Sequence, residues 1–115
     1  MRKELKDRKK KKGTNLMEEG MKYDEGKQGW YAMPLELLKP LAEVFTQGEK
    51  KYQTFNCLND FREPERRFYD AIMRHLEACQ LDPLAKDEET GCYHIAQVAW
   101  NALLRLHHCS KNNIK

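Results

Sequence analysis

Polar side chains that form hydrogen bonds recur along the last third of the chain at the spacing of one helix face. His94, Gln97 and Asn101 follow one another at intervals of three and four residues, and Arg105 and His108 continue the series. At about 100° per residue, this spacing predicts one polar stripe on an α-helix. Half-buried imidazole and amide groups need partners in the protein, in water or in a ligand. The stripe therefore predicts either a polar ligand pocket or hydrogen bonds to a neighbouring helix.

Three further segments carry residue types that bind phosphate: Asp24-x-Gly26-Lys27, Gly48-x-x-Lys51-Tyr52 with Asn56, and Arg74-His75. Lysine and arginine donate charge-assisted hydrogen bonds to phosphate oxygens, and glycine lets backbone N–H groups come close. Tyrosine offers a stacking surface for a base. Arg74 has an alternative partner in Asp70, four residues before it. The predicted nucleotide ligands are Lys27, Lys51, Tyr52, Asn56, Arg74, His75, His94, Gln97 and Asn101.

Acidic residues before the third predicted helix are the candidates for catalysis. Glu77 lies on the second predicted helix, and Asp87, Glu88 and Glu89 lie in the following loop. Mg²⁺ takes oxygen ligands, and neutral histidine, glutamine and asparagine bind it poorly. The third predicted helix offers no carboxylate near the polar stripe. These residue types therefore favour binding of a nucleotide over magnesium-dependent hydrolysis, and no metal ligand is assigned firmly.

Cysteine usage favours a reducing compartment and disfavours a zinc site. The four cysteines have wide, irregular spacings without a C-x-x-C pair, and the two ends of one long helix cannot meet at a single ion. No signal peptide and no membrane-length apolar segment is seen. We therefore expect a cytoplasmic protein without a membrane partner.

Hydrophobic periodicity predicts an all-α fold of three to four helices. The first helix begins near Pro34 and restarts or kinks at Pro40, and Gly48 ends it or loosens its last turn; the second spans about 64–80 and the third about 93–109. The expected core positions are Leu38, Leu41, Phe45, Phe68, Ile72, Leu76, Cys79, Ile95, Val98, Ala99, Ala102, Leu103 and Leu106.

Length and charge suggest one small domain behind a basic tail. The 115 residues allow one domain, and the formal net charge of +3 is concentrated before residue 13. We predict a disordered basic tail over residues 1–20 and a helical nucleotide-binding domain over residues 21–115. A solvated tail is favoured over contact with nucleic acid, because no recognition signature accompanies the charges. Since so small a domain buries a modest fraction of its surface, we expect a homo-oligomer.

Four motifs occur in an order that resembles a known family. They are Tyr23-Asp24-Glu25-Gly26-Lys27, the segment from Val44 to Tyr52 followed by Asn56, Arg74-His75-Leu76, and the segment from Glu89 to Ala102. The set is similar to the phage family named dATP/dGTP diphosphohydrolase, N-terminal domain, a relative of the MazG-like all-α pyrophosphohydrolases. The resemblance covers Lys22 to Leu106. It implies a helical, oligomeric, nucleotide-associated protein in the cytoplasm of an infected bacterium.

Two departures from the family pattern bear on catalysis. Cys57 stands where such sequences tend to carry tryptophan, and Gln97 where they often carry a second histidine. MazG-like hydrolases hold magnesium with E-x-x-E and E-x-x-D segments, and His94-x-x-Gln97 occupies the place where the latter is expected. We therefore favour a non-catalytic phage sponge that sequesters an adenine-type, nucleotide-derived immune signal without a cofactor. The alternative is a dATP/dGTP diphosphohydrolase that uses Mg²⁺ or Mn²⁺ and releases pyrophosphate.

Overall fold

The computed structural model describes residues 19–112. The described residues divide into two units, one that ends at Met33 and one that begins at Pro34, and most of the predicted basic tail lies outside the described residues. In the first unit, the Lys27 N–H donates to the Asp24 carbonyl over 3.1 Å, which closes a turn. Gly26 within it has a φ of +86°, a conformation that glycine adopts without strain. A 3-10 helix, Trp30–Ala32, follows.

The second unit contains three α-helices: α1 (Lys39–Lys51), α2 (Pro64–Ala78) and α3 (His94–Asn112). Two short 3-10 helices, Leu35–Leu38 and Asn56–Leu58, precede α1 and α2. An isolated antiparallel bridge joins Lys86 to Tyr93, and residues 19–112 contain no strand. The all-α prediction is confirmed. No helix among these residues combines the length and apolar composition needed to cross a membrane.

One proline and one glycine show where the predicted bounds of the first helix are correct and where they are not. Pro40 lies in the first turn of α1, where its missing N–H costs no hydrogen bond, so the predicted restart there is correct. Of the two roles predicted for Gly48, an end of the helix is wrong, because α1 continues through it to Lys51, and Gly48 lies in the last turn. The N–H of Tyr52 donates to the Gly48 carbonyl over 2.9 Å and closes the last turn.

The two longest helices pack antiparallel. Arg105 near the end of α3 lies 3.3 Å from Glu65 at the start of α2, whereas His94 at the start of α3 meets His75 near the end of α2. On α3, Trp100 makes an edge contact with Phe45 of α1 at 6.0 Å between ring centroids. A small core of Val44, Cys92 and Ala96 joins α1 to the start of α3.

The structure reverses the predicted orientation of α3. Ile95, Leu103 and Leu106, expected in the core, are exposed, as are the alanines at 99 and 102, and Val98 is half-buried. The polar stripe faces inward instead: Gln97, Asn101 and His108 retain 8%, 6% and 1% of their accessible surface. Each of the three has a hydrogen-bond partner in the protein, so its burial is compensated.

The core prediction for α2 holds at Phe68 and Cys79, which are both buried, and fails at Leu76, which is 39% exposed. Ile72 is half-buried. α2 therefore turns a narrower strip toward the protein interior than its apolar pattern predicted.

Candidate functional site

A pair of histidines marks the place where α2 ends and α3 begins. His75 Nδ1 lies 2.9 Å from His94 Nδ1, and both side chains are half-buried. A hydrogen bond between these nitrogens needs one N–H and one lone pair, so at least one ring is neutral. Partial burial, followed by the charge of His94, lowers the pKa of His75. The lowered pKa favours the neutral form of the His75 ring, which keeps a nitrogen lone pair.

Asp87 of the loop between α2 and α3 completes a cluster of three. Its carboxylate and the two ring nitrogens lie within 4.8 Å of one another. Partial burial acts to raise the pKa of Asp87. Hydrogen bonds from the Glu89 N–H and the Gln97 amide, together with the charges of His94 and His75, outweigh it and lower the pKa. The group is thus an ionised carboxylate beside two imidazoles, named here the corner cluster.

The loop is fixed around Asp87 by backbone and side-chain hydrogen bonds. The Asp87 N–H donates to the Cys92 carbonyl over 2.8 Å, and the Gly91 N–H donates to the Asp87 carbonyl over 2.7 Å. Gly91 has a φ of +76°, which explains why glycine stands there. The Gln97 amide donates to Asp87 Oδ2 and to Thr90 Oγ1, each over 3.2 Å. The carboxylate is therefore held in place before any ligand arrives.

The other predicted acidic residues do not join the corner cluster. Glu77 and Glu88 are exposed, and Glu89 pairs with Lys51 over 2.8 Å on the surface. The hydrogen bond to Glu89 raises the pKa of Lys51. Two nitrogens and one carboxylate do not match the oxygen-rich set that Mg²⁺ requires. Within residues 19–112, the carboxylates expected of a MazG-like magnesium site are not assembled.

A cleft of about 250 Å³ lies along the side of α2. It is lined by Phe61, Arg67, Phe68, Asp70, Arg74 and Asn101. Asp70 lies 4.0 Å from Arg66 and not in an ion pair with Arg74, and no ion pair is found for Arg74 within the described part of the chain. Its guanidinium is thus available to an anion. The volume suits part of a nucleotide, such as a base or a phosphate group.

The cleft and the corner cluster are connected through one helical turn of α3. Asn101 lines the cleft, and its amide donates to the Gln97 carbonyl over 2.8 Å. Gln97 in turn holds Asp87. On α2, Arg74 of the cleft directly precedes His75 of the corner cluster. A ligand with one end in the cleft would have the corner cluster one turn away.

Three further predicted ligand residues are Lys27, Tyr52 and Asn56. Lys27 belongs to the first unit and is exposed. Tyr52 is exposed beside Lys51, whose ammonium lies 5.5 Å from the tyrosine ring centroid. Asn56 is half-buried in a 3-10 helix and accepts a hydrogen bond from Asn59. Within the second unit, Tyr52 and Asn56 neither line the cleft nor belong to the corner cluster.

The sequence analysis named all three residues of the corner cluster but did not predict that they lie close together. His75 and His94 were predicted to bind a nucleotide, and Asp87 was predicted among the catalytic acids. The signal that could have joined them is topological. Consecutive antiparallel helices bring the end of the first helix to the start of the second, where His75 and His94 lie, and Asp87 belongs to the 15-residue connection between them, residues 79–93.

Comparison with known proteins places the chain in a family. The chain belongs to the family described as dATP/dGTP diphosphohydrolase, N-terminal, which matches residues 17–115. The family suggested by the four motifs is therefore confirmed. No curated protein and no solved structure matches the chain.

Proposed function

We propose that this chain binds a purine nucleoside triphosphate, dATP or dGTP, and hydrolyses it to the monophosphate and pyrophosphate. The observation that carries the proposal is the convergence of His75, Asp87 and His94 within 4.8 Å, next to the unpaired Arg74 of the cleft. The substrate class comes from the family description. The carboxylates of a magnesium site are not assembled, so the proposed hydrolysis depends on the two imidazoles and one carboxylate instead.

The residues divide the work between binding and proton transfer. Arg74 would neutralise a phosphate oxygen through a charge-assisted hydrogen bond. A neutral ring of the histidine pair would accept the proton of the attacking water, since imidazole is effective as a base near neutral pH. Asp87 would stabilise the imidazolium that forms, because opposite charges within a few ångströms favour the charged ring.

Sequestration without turnover, the function favoured by the sequence, remains the second candidate. One observation favours it. Of the four acidic candidates, only Asp87 joins the histidines, so the carboxylates of a magnesium-dependent hydrolase are not assembled. A phage protein of this kind would hold a nucleotide-derived immune signal of the host and release it unchanged. The preference passes to hydrolysis because the structure puts a carboxylate beside the histidines, which the sequence pattern of α3 did not offer.

The two candidates differ in the fate of the bound nucleotide. Purified protein is incubated with dATP or dGTP, with and without added Mn²⁺, and the products are separated by chromatography. We expect many turnovers per chain, and in Asp87→Asn a rate at least about a hundredfold lower. Asp82→Asn is the matched control, because Asp82 lies in the same loop, outside the corner cluster, and its side chain accepts a hydrogen bond from the Leu84 N–H. Stoichiometric binding with intact nucleotide recovered would contradict hydrolysis and support sequestration.

A further inference from the structure

We propose that His75, Asp87 and His94 form an octahedral site for a divalent transition-metal ion. Two imidazole nitrogens and one carboxylate oxygen match the preference of Mn²⁺, Fe²⁺ and Co²⁺ for mixed nitrogen and oxygen ligands, whereas Mg²⁺ favours oxygen alone. The inference deepens the proposed function, because such an ion would lie one helical turn from the cleft. Its own test does not depend on turnover.

The two histidine nitrogens lie close enough together to bind one ion. Metal–nitrogen bonds are about 2.1 Å long, so adjacent ligands of an octahedron lie about 3.0 Å apart. The distance between His75 Nδ1 and His94 Nδ1 is 2.9 Å, set by their hydrogen bond, and an ion would take the place of the shared proton. The Asp87 carboxylate lies within 4.8 Å of both nitrogens and is the third candidate ligand.

The surroundings of Asp87 resemble the second layer of hydrogen bonds around a metal ligand. The Glu89 N–H donates to Oδ1 over 2.9 Å and the Gln97 amide to Oδ2 over 3.2 Å. Each carboxylate oxygen keeps a further lone pair for an ion, and outer-layer bonds of this kind orient ligating carboxylates. Three protein ligands leave half of an octahedron for water or phosphate oxygens. When bound, the ion would take the Nδ1 lone pairs of both histidines, so it would replace the histidine pair in activating the water by lowering the pKa of a bound water, and it would polarise a phosphate oxygen.

Cobalt gives a direct reading of the site in the unmodified chain. The protein is stripped with a chelator, dialysed and titrated with Co²⁺ while its visible absorption is recorded. We expect one ion per chain and the weak bands of six-coordinate Co²⁺. The several-fold stronger bands of four-coordinate Co²⁺, or no binding, would overturn the inference. In the second case the histidines are only a hydrogen-bonded pair.

Variants identify the ligands through Mn²⁺ binding, followed by the loss of the free-ion signal in electron paramagnetic resonance. His75→Ala, His94→Ala and Asp87→Asn should each weaken binding at least about tenfold. His107→Ala is the matched control, because His107 is an exposed histidine of α3 outside the cluster. Equal affinity in all four variants would overturn the assignment. If Mn²⁺ binds as expected but no nucleotide is hydrolysed, the site stands and the proposed function fails.

A separate observation concerns the outer face of the same helices. On α2, Tyr69, Met73 and Leu76 recur at helical spacing and are exposed; on α3, Ile95 and Leu106 do the same, with the exposed alanines at 99 and 102 between them. We infer that this surface, named the outer apolar face, binds the same face of a second copy of the chain.

The two exposed stripes approach each other along one edge of the helix pair. The Arg105 guanidinium, next to Leu106 of the α3 stripe, lies 5.1 Å from the ring centroid of Tyr69 in the α2 stripe.

The area and charge of this face favour a second copy over a charged partner. Its five large side chains are 39–65% exposed, which at about 200 Å² for a fully exposed large side chain leaves about 500 Å² of apolar surface. The alanines extend this toward the roughly 800 Å² per partner of a stable interface. At its edge, Arg105 pairs with Glu65 of the same chain over 3.3 Å. Because the Arg105–Glu65 pair is neutral overall, it adds no net charge that would repel the same edge of a second copy in a two-fold pair.

Light scattering coupled to size exclusion tests the pairing at micromolar concentration. We expect the unmodified chain to be a dimer or larger, and Leu106→Glu to shift it to the monomer, because two buried glutamates would face each other across the two-fold axis. Leu81→Glu is the matched control, since Leu81 is 96% exposed in the loop and lies outside the face. A monomeric unmodified chain, or a dimer that survives Leu106→Glu, would overturn the inference.

Discussion

The two ends of the α2–α3 pair both contain histidine, but in different surroundings. At one end, His108 is 1% exposed and its ring stacks on Phe68 at 3° between planes. Its Nε2 lies 2.8 Å from the Cys57 carbonyl. At the other end, His75 and His94 are half-buried and face each other and a carboxylate. The first environment completes a core, and the second leaves nitrogen and oxygen lone pairs near one point.

The surroundings of these histidines, rather than their residue type, show which one is structural and which ones are functional candidates. The His108 Nε2–H is used by a backbone carbonyl, and its ring faces are used by aromatic contacts, including an edge contact with Phe61 at 5.2 Å. At 1% exposure, the ring is closed off from a ligand in solvent. The corner cluster instead concentrates groups that bind protons and metal ions, at the cost of packing that an apolar corner would provide.

The largest expected effect is on the structural end. His108→Ala removes a buried ring and leaves the Cys57 carbonyl without its donor, so we expect the free energy of unfolding to fall by about 3 kcal/mol. Urea denaturation followed by circular dichroism measures it. His107→Ala should change stability by less than about 0.5 kcal/mol. A small effect of His108→Ala would remove the contrast between the two ends.

The corner cluster should show the opposite pattern. His94→Ala should lower the rate of pyrophosphate release by about a hundredfold, equivalent to about 2.7 kcal/mol of barrier. The same variant should keep most of its stability, because its half-buried ring makes fewer contacts than that of His108. Rates and urea midpoints measured on one preparation test both parts. A His94→Ala variant with a much lower urea midpoint and an unchanged rate of pyrophosphate release would contradict the division of roles.

Arg74 tests the link between cleft and cluster. Replacement by alanine should weaken nucleotide affinity by about 1.5–3 kcal/mol, because an unpaired guanidinium would lose a charge-assisted hydrogen bond to phosphate. Arg66→Ala is the control, since Arg66 already pairs with Glu63 and Asp70. Isothermal titration calorimetry with dGTP gives both values. Equal affinities would place the phosphates outside the cleft.

Lys51 should show the smallest effect. It is exposed and paired with Glu89, and such surface pairs contribute little. We therefore expect Lys51→Ala to weaken nucleotide binding by less than about threefold, against the phosphate contact that the sequence predicted for it. A tenfold or larger loss in the same calorimetric titration would restore Lys51 as a ligand and enlarge the site toward the loop.

The helices of this fold could be read from the sequence more reliably than their orientation. The limits of α2 follow from Pro64 and from its apolar period. The period of α3 fits two opposite faces equally well, and the usual preference for apolar burial selects the wrong one. The polar stripe can face inward because Gln97, Asn101 and His108 each find a specific partner, and no pattern in the sequence reports those partners.

The individual residues of the candidate site could be predicted from the sequence, but their arrangement in one cluster could not. His75, His94, Gln97 and Asn101 were predicted as ligands from chemistry and motif. Asp87 was separated from them because it lies in a loop, where periodicity places nothing. Its position depends on long-range hydrogen bonds to Gln97 and on the bridge between Lys86 and Tyr93, which only the folded chain supplies.

The most direct test of the central claim follows the fate of the nucleotide in the unmodified protein. Chelator-treated chain is incubated with excess dATP or dGTP, with Mn²⁺ or with EDTA, and the mixture is denatured and separated by chromatography. We expect monophosphate and pyrophosphate in equal amounts, at many turnovers per chain, with Mn²⁺ only. Recovery of intact nucleotide at one molecule per site, unchanged by EDTA, would contradict the account and identify the chain as a binding protein.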